Sequence, residues 1–163
     1  MENIRYLELK EAGTLLEQME TLFVLMYDYM GDKGLLQPLV PGGEKMWSKS
    51  LLPTLGKFGV VWLALNGEEV IGFIQGMIKL LPNYLGGGKV GIISHVYVKP
   101  EMRQYGIGSE LAKKLEEWFV TKNIDSIELQ VLYHNEKARN FWENTGYEYE
   151  VYQMRKFLVG VSE

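Results

Sequence analysis

Apolar residues recur along this chain at two different periods, and the switches between them outline its elements. Over residues 11–30, Leu15, Leu16, Met19, Leu22, Phe23 and Met26 fall three and four apart, which predicts an amphipathic helix. Ahead of it, residues 4–9 alternate imperfectly (Ile4 and Tyr6, then Leu7 and Leu9) and predict a first strand. Residues 31–41 read as loop. A second helix is expected over 44–55, with Met46, Trp47 and Leu51 on one face and Pro53 limiting its end. Residues 60–65 and 70–80 predict two strands joined at Asn66-Gly67, a strong short hairpin signal. Three consecutive glycines, Gly86, Gly87 and Gly88, mark a turn region. The β-branched run Val90, Ile92, Ile93, Val96, Val98 predicts a fourth strand, stopped by Lys99-Pro100. The period then changes: Ile107, Leu111, Leu115, Trp118 and Phe119 predict a helix over 106–122. Ile127, Leu129 and Val131 alternate as a fifth strand. Residues 135–144 predict a short helix capped by Asn135 and stopped at Gly146. A final strand or pair of strands is expected over 147–158. Three consecutive strands followed by a strand–helix–strand crossover predict a mixed sheet with helices on its faces, an α/β (α+β) architecture.

Composition narrows the function classes. A chain of 163 residues suits one domain, taken as 1–163, with a sizeable core. Its 47% hydrophobic and 23% charged residues are those of a soluble globular protein. The net charge of -4 gives no general attraction for nucleic acid or anionic membrane. With no cysteine, disulfide frameworks, cysteine–zinc sites and thiol nucleophiles are excluded. The two histidines, His95 and His134, do not suggest a metal centre, and none is expected. The first residues, Met1 to Arg5, lack a signal peptide's apolar core, and no apolar run approaches the roughly 20 residues of a membrane span. The default expectation is a cytoplasmic enzyme.

Chemistry concentrates at 96–109, where a strand turns into an amphipathic helix through Arg103, Gly106 and Gly108. The first amides of a helix lack intrahelical partners, and the helix dipole places partial positive charge there. A diphosphate can accept those N–H groups. Glycines at 106 and 108 let its oxygens approach, and Arg103 can add a charge-assisted bond. No Lys-Ser/Thr pair follows the glycines, so this is not a Walker A loop. Leu111 stands where a dinucleotide fingerprint needs its third glycine. On the glycines alone, a tight structural turn is the favoured reading.

Arg103-Gln104-Tyr105-Gly106-Ile107-Gly108 resembles the Arg/Gln-x-x-Gly-x-Gly/Ala signature of the GNAT acetyltransferases, and it follows a strand ending Val-x-Val-x-Pro as in that family. The stretch from Asn135 to Tyr147 resembles the family's second motif, Asn-x-x-Ala-x-x-Phe-Tyr-x-x-x-Gly-Phe. The match covers roughly residues 90–150. The resemblance implies a GNAT fold: a central mixed sheet of six to seven strands, splayed between the fourth and fifth, with about four flanking helices. It implies acetyl-CoA as cofactor, its arm pairing with the backbone of Val96, Tyr97 and Val98. The diphosphate would lie on Arg103, Gln104, Tyr105, Gly106, Ile107, Gly108 and Ser109. Asn135 would hold the cofactor from the other side, with Ala138, Phe141 and Trp142 along its arm. The implied reaction is attack of a neutral primary amine on the thioester, with a backbone N–H near Val96 facing the developing oxyanion.

One departure matters. The family often has tyrosine after the phenylalanine, as general acid, and this chain has Trp142, whose indole cannot serve. Tyr133 and Tyr147 are the nearby candidates, with a packing role as the readier reading of each. His95 is a candidate base, with a satisfied core histidine as the alternative. Tyr27, Tyr29 and Met30 are candidate substrate contacts, because the first two helices carry specificity in the family. A fold that binds acyl-CoA without turnover is the alternative function. The apolar run Phe157-Leu158-Val159 is compatible with a homodimer contact or an ordinary sheet edge.

Overall fold

The computed structural model of the chain describes residues 3–160. Met1, Glu2 and residues 161–163 lie outside it, and with them part of the leader reading and the ends of the expected domain. Five strands form one sheet in sequence order: β1 (Ile4–Glu8), β2 (Gly59–Asn66), β3 (Glu69–Leu80), β4 (Lys89–Val98) and β5 (Ile127–Leu129). The first four pair antiparallel, and β5 joins β4 in parallel. Helices α1 (Thr14–Asp32) and α2 (Gly43–Leu51) lie in sequence between β1 and β2. Helix α3 (Ile107–Thr121) makes the crossover from β4 to β5, and α4 (Glu136–Asn144) follows. Among the described residues, no helix is long and apolar enough to cross a membrane.

Two apolar clusters cover the sheet. On one face Leu16, Met19, Leu22, Phe23 and Met26 of α1, with Leu51 of α2, meet Val61, Leu63, Phe73 and Tyr97. On the other, Ile107, Leu111, Leu115 and Phe119 of α3 meet Val60, Ala64, Ile74 and Ile93. Burying each large side chain contributes about 1.5–3 kcal/mol, so the stripes rather than local propensity hold the helices in place. Close contact with α3 sets a local requirement at Gly76, where a Cβ would stand 2.4 Å from Leu115 Cδ1. Between α1 and α2, the buried Glu20 carboxylate accepts from Ser48 Oγ at 2.5 Å and from Lys45 Nζ at 2.6 Å, which ties α2 to α1.

Several expectations need correction. Helix α1 begins at Thr14 rather than at residue 11, because Gly13 at φ +147° lies outside helical space. Helix α2 tightens into a 3-10 turn at Leu52–Thr54, where Pro53 cannot continue the α-helical ladder. The sheet has five strands, not six or seven: residues 147–158 form no strand. A strand needs a neighbouring strand for its amides, and among the described residues none pairs with this segment. It exposes Val151, Tyr152, Met154, Phe157, Leu158 and Val159 instead. Strand β5 ends at Leu129 rather than 131, because β4 accompanies it over Gly91–Ile93 and no further.

Candidate active site

The site begins at an irregularity in β4. Gln75 pairs with His95 while the next residue, Gly76, pairs with Ile93, so Ser94 is an unpaired extra residue, a β-bulge. Side chains two apart on a regular strand share a face. The bulge breaks that rule: Ile93 packs in the α3 cluster, whereas His95 turns to the α1–α2 face among Phe23, Tyr27 and Trp47.

Backbone direction changes with it. Lys99 N–H donates to Ile71 C=O at 2.9 Å, which makes these residues a hydrogen-bonded antiparallel pair. By alternation Tyr97 and His95 also turn their amides toward β3, and Val96 and Val98 turn theirs to the opposite edge. Strand β5 no longer runs beside that edge, so a gap opens between β4 and β5 with backbone groups along one wall that no strand takes up. The expected Tyr97 backbone contact does not fit this geometry. Tyr97 offers its side chain to the α1 cluster and its amide to β3.

The gap ends at the turn into α3. Gln104 at φ +71° and Gly106 at φ +76° are both left-handed, on either side of Tyr105. Such alternation points successive N–H groups into one concavity, and the free amides of Ile107, Gly108 and Ser109 add to it. A left-handed conformation costs a non-glycine residue of order 1 kcal/mol, so Gln104 is strained where an anion would sit. Arg103 is held firmly: its Nε donates to Val98 C=O at 2.9 Å, and its guanidinium lies 4.7 Å from the Tyr29 ring and 5.4 Å from that of Tyr97. Pro100, Glu101, Arg103, Gln104, Tyr105 and Lys137 line the recess beside the turn. Lys137, in the first turn of α4, is a cation that the sequence reading passed over; its place just after the capping Asn135 was the available signal.

On the other side of the gap Asn135 caps α4, its Oδ1 accepting from Ala138 N–H at 3.3 Å. Ala138 and Phe141 are half-buried, and the Phe141 ring stands 3.7 Å from where a Cβ at Gly108 would lie, so α4 faces the start of α3 at this point. Trp142 does not belong to this wall. It is 5% exposed, edge-on to Phe141 and Tyr147 in the α3 cluster, and is a core residue rather than a cofactor contact. Tyr147 is a poor acid: its hydroxyl donates to Glu116 at 3.0 Å, and burial together with that carboxylate holds its pKa well above the usual value. Tyr133 is 72% exposed beneath Arg139. Its hydroxyl has no partner among the described residues.

His95 sits in an aromatic box. The Phe23 ring is 5.0 Å away, Trp47 5.7 Å and Tyr27 6.4 Å, and Phe23 stacks on Trp47 at 3.8 Å. Its Nδ1 is 2.7 Å from Gln75 Oε1, which also accepts from Trp47 Nε1 at 3.1 Å. Burial lowers the imidazole pKa from 6.5 to about 4, so the ring is neutral at neutral pH. Tyr27 is thus brought to His95, Tyr29 is committed to Arg103, and Met30 packs on the α1 cluster. Gln75 and Trp47 are the residues that sequence reasoning missed, since no local pattern joins positions on β3, α2 and β4.

A strand edge freed beside a parallel neighbour, running into a helix start with unpartnered amides, defines this mixed-sheet protein. The chain belongs to the acetyltransferase (GNAT) family, whose profile matches residues 33–147. It is 30% identical over 91 residues to an uncharacterized N-acetyltransferase, YhfO, of Bacillus subtilis (strain 168); the match covers 55% of this chain and 58% of that protein's length. Among solved structures, the aminoglycoside N-acetyltransferase AAC(6')-Iy in complex with CoA superposes with a TM-score of 0.75 at 17% identity, covering 94% of this chain and 95% of that one. A predicted acetyltransferase with acetyl-CoA from Clostridium acetobutylicum gives 0.72 at 18% identity, covering 96% and 97%. These similarities carry the fold.

Proposed function

We propose that this protein is an N-acetyltransferase that moves the acetyl group of acetyl-CoA to a primary amine. The observation that carries the reading is the free edge at Val96 and Val98 leading into the left-handed turn at Gln104 and Gly106. The chemistry of the residues present fits acetyl-CoA. Unpaired strand amides suit an amide-bearing pantetheine arm, and the turn with Arg103 and Lys137 suits phosphates. When bound, acetyl-CoA supplies an activated thioester carbonyl. The Val96 N–H faces the open edge and is placed to donate to an oxyanion there. His95, neutral and on the α1–α2 side, accepts the amine's proton at Nε2, and Tyr27 beside it contacts the acceptor. With Trp142 in the core and Tyr147 tied to Glu116, Tyr133, exposed and with a hydroxyl free among the described residues, is the tyrosine left to protonate the leaving thiolate.

Self-association belongs to the same reading. Strand β5 ends the sheet with its outer edge unpaired, and the apolar segment 151–159 is exposed. A second copy offering that segment to this edge would cover both.

Acetyl-CoA titrated calorimetrically into wild type and Gly108→Trp tests the proposal. A Cβ at 108 meets nothing closer than the Phe141 ring at 3.7 Å, so the position accepts a Cβ, and the variant's circular dichroism and thermal unfolding check that it still folds. Micromolar wild-type binding weakened at least about 100-fold by the substitution is expected. An acceptor panel of aminoglycoside, polyamine, amino acid and peptide amines, read by thiol release, then separates transfer from binding alone. No wild-type binding would overturn the proposal. Binding without turnover on any amine would leave a cofactor-binding module.

A further inference from the structure

The aromatic box around His95 holds a polar relay that has one consistent assignment of its hydrogens. Gln75 is 6% exposed, and a single atom of its side-chain amide lies within hydrogen-bond distance of both Trp47 Nε1 and His95 Nδ1. An indole N–H can only donate. The Gln75 atom facing it is therefore the oxygen, because the amide nitrogen would set donor against donor. An oxygen 2.7 Å from Nδ1 needs a hydrogen between them, so Nδ1 carries the ring proton. A neutral imidazole has one such proton, which leaves Nε2 with a free lone pair. No protein group bonds Nε2 among the described residues, and it is not among the sealed-off polar atoms, so it reaches solvent.

We propose that Gln75, oriented by Trp47, is a positioning residue that fixes His95 in the tautomer whose Nε2 can accept a proton. This rests on the reading of His95 as the base and adds what makes it competent. The three residues come from β3, α2 and β4. Trp47 is held by its stack on Phe23 and by the Glu20–Ser48 bond that seats α2, and His95 is aimed by the bulge at Ser94. In the opposite tautomer, with its proton on Nε2, the lone pair of Nδ1 would face the Gln75 oxygen at 2.7 Å, and Nε2 could no longer accept. Fixing the tautomer through a third residue is the logic of acid–base triads, here with a neutral amide in place of a carboxylate. A neutral orienter does not hold a charge on the ring in the ground state, which suits a base that must be uncharged before it acts.

Two readouts test this, one of them independent of turnover. Protein labelled with 15N-histidine, its two ring systems assigned with His134→Asn, reports the tautomer of His95 directly by long-range proton–nitrogen correlation. The wild type is expected to show protonated Nδ1 and bare Nε2. Gln75→Met, which keeps length and apolar bulk, should shift the ring toward the Nε2-protonated form, and Gln75→Glu, which can only accept, should restore the wild-type pattern. With whichever amine of the panel is turned over, Gln75→Met should lower kcat about tenfold at unchanged KM for acetyl-CoA, and Gln75→Glu should recover most of it. Trp47→Phe should give a smaller loss, because the amide is then free to rotate. His95→Ala should cost about a hundredfold, as removal of a general base does. An Nε2-protonated wild-type ring overturns the proposal. So does full kcat in Gln75→Met while His95→Ala is inactive. Full kcat in His95→Ala removes the base reading itself, and the positioning role with it.

Discussion

Acidification should weaken this protein through His95, and the size of the effect follows from where the ring sits. Burial lowers its pKa from 6.5 to about 4 in the folded state, whereas the unfolded chain keeps the ordinary value. Between those two values the unfolded state binds the proton and the folded state does not. Stability therefore falls as pH drops through this window and is unaffected by the group above it. A gap of about 2.5 pH units at about 1.4 kcal/mol each gives about 3 kcal/mol. Solvent at the Nε2 end of this half-buried ring reduces that to about 2 kcal/mol. Urea unfolding at half-unit steps from pH 4 to 7 would measure it, with His95→Gln as reference so that carboxylate titrations cancel. The difference in stability between wild type and variant should change by about 2 kcal/mol across the window, wild type losing more on acidification. Parallel curves would refute the reasoning and show that the aromatic box does not desolvate the ring.

Two further outcomes test the packing and the assembly. Gly76→Ala places a Cβ 2.4 Å from Leu115 Cδ1 and 3.0 Å from the Phe119 ring, and should destabilise the protein by about 1–3 kcal/mol in denaturant unfolding. A neutral effect would mean that α3 stands further from β3 than described. Light scattering at micromolar concentration should give twice the monomer mass, reduced to the monomer by Met154→Asp with Phe157→Asp. A wild-type monomer would end the self-association proposal.

The sequence by itself determined most of the elements and the position of the glycine turn into α3. The three-and-four spacing from Leu15 to Met26 and from Ile107 to Phe119 specified two helices, and the β-branched run to Val98 specified the central strand, because each pattern is a local consequence of which face meets the core. The strand–glycine–helix turn was legible for the same reason: the amides that line it belong to six consecutive residues, 104–109. What only the tertiary structure decided depends on contacts between distant segments. Residues 151–159 are apolar enough for a strand, yet a strand exists only where a neighbour takes up its amides. Trp142 stands at the motif position of an acid and Tyr147 was a nearby candidate, but packing put one in the core and tied the other to Glu116. His95 was visible as a titratable residue in a strand, while its direction came from one bulged residue in a register that pairs it with a strand 20 positions earlier. The Gln75–Trp47 relay that sets its proton joins three elements, and no pattern of neighbouring residues encodes such a meeting.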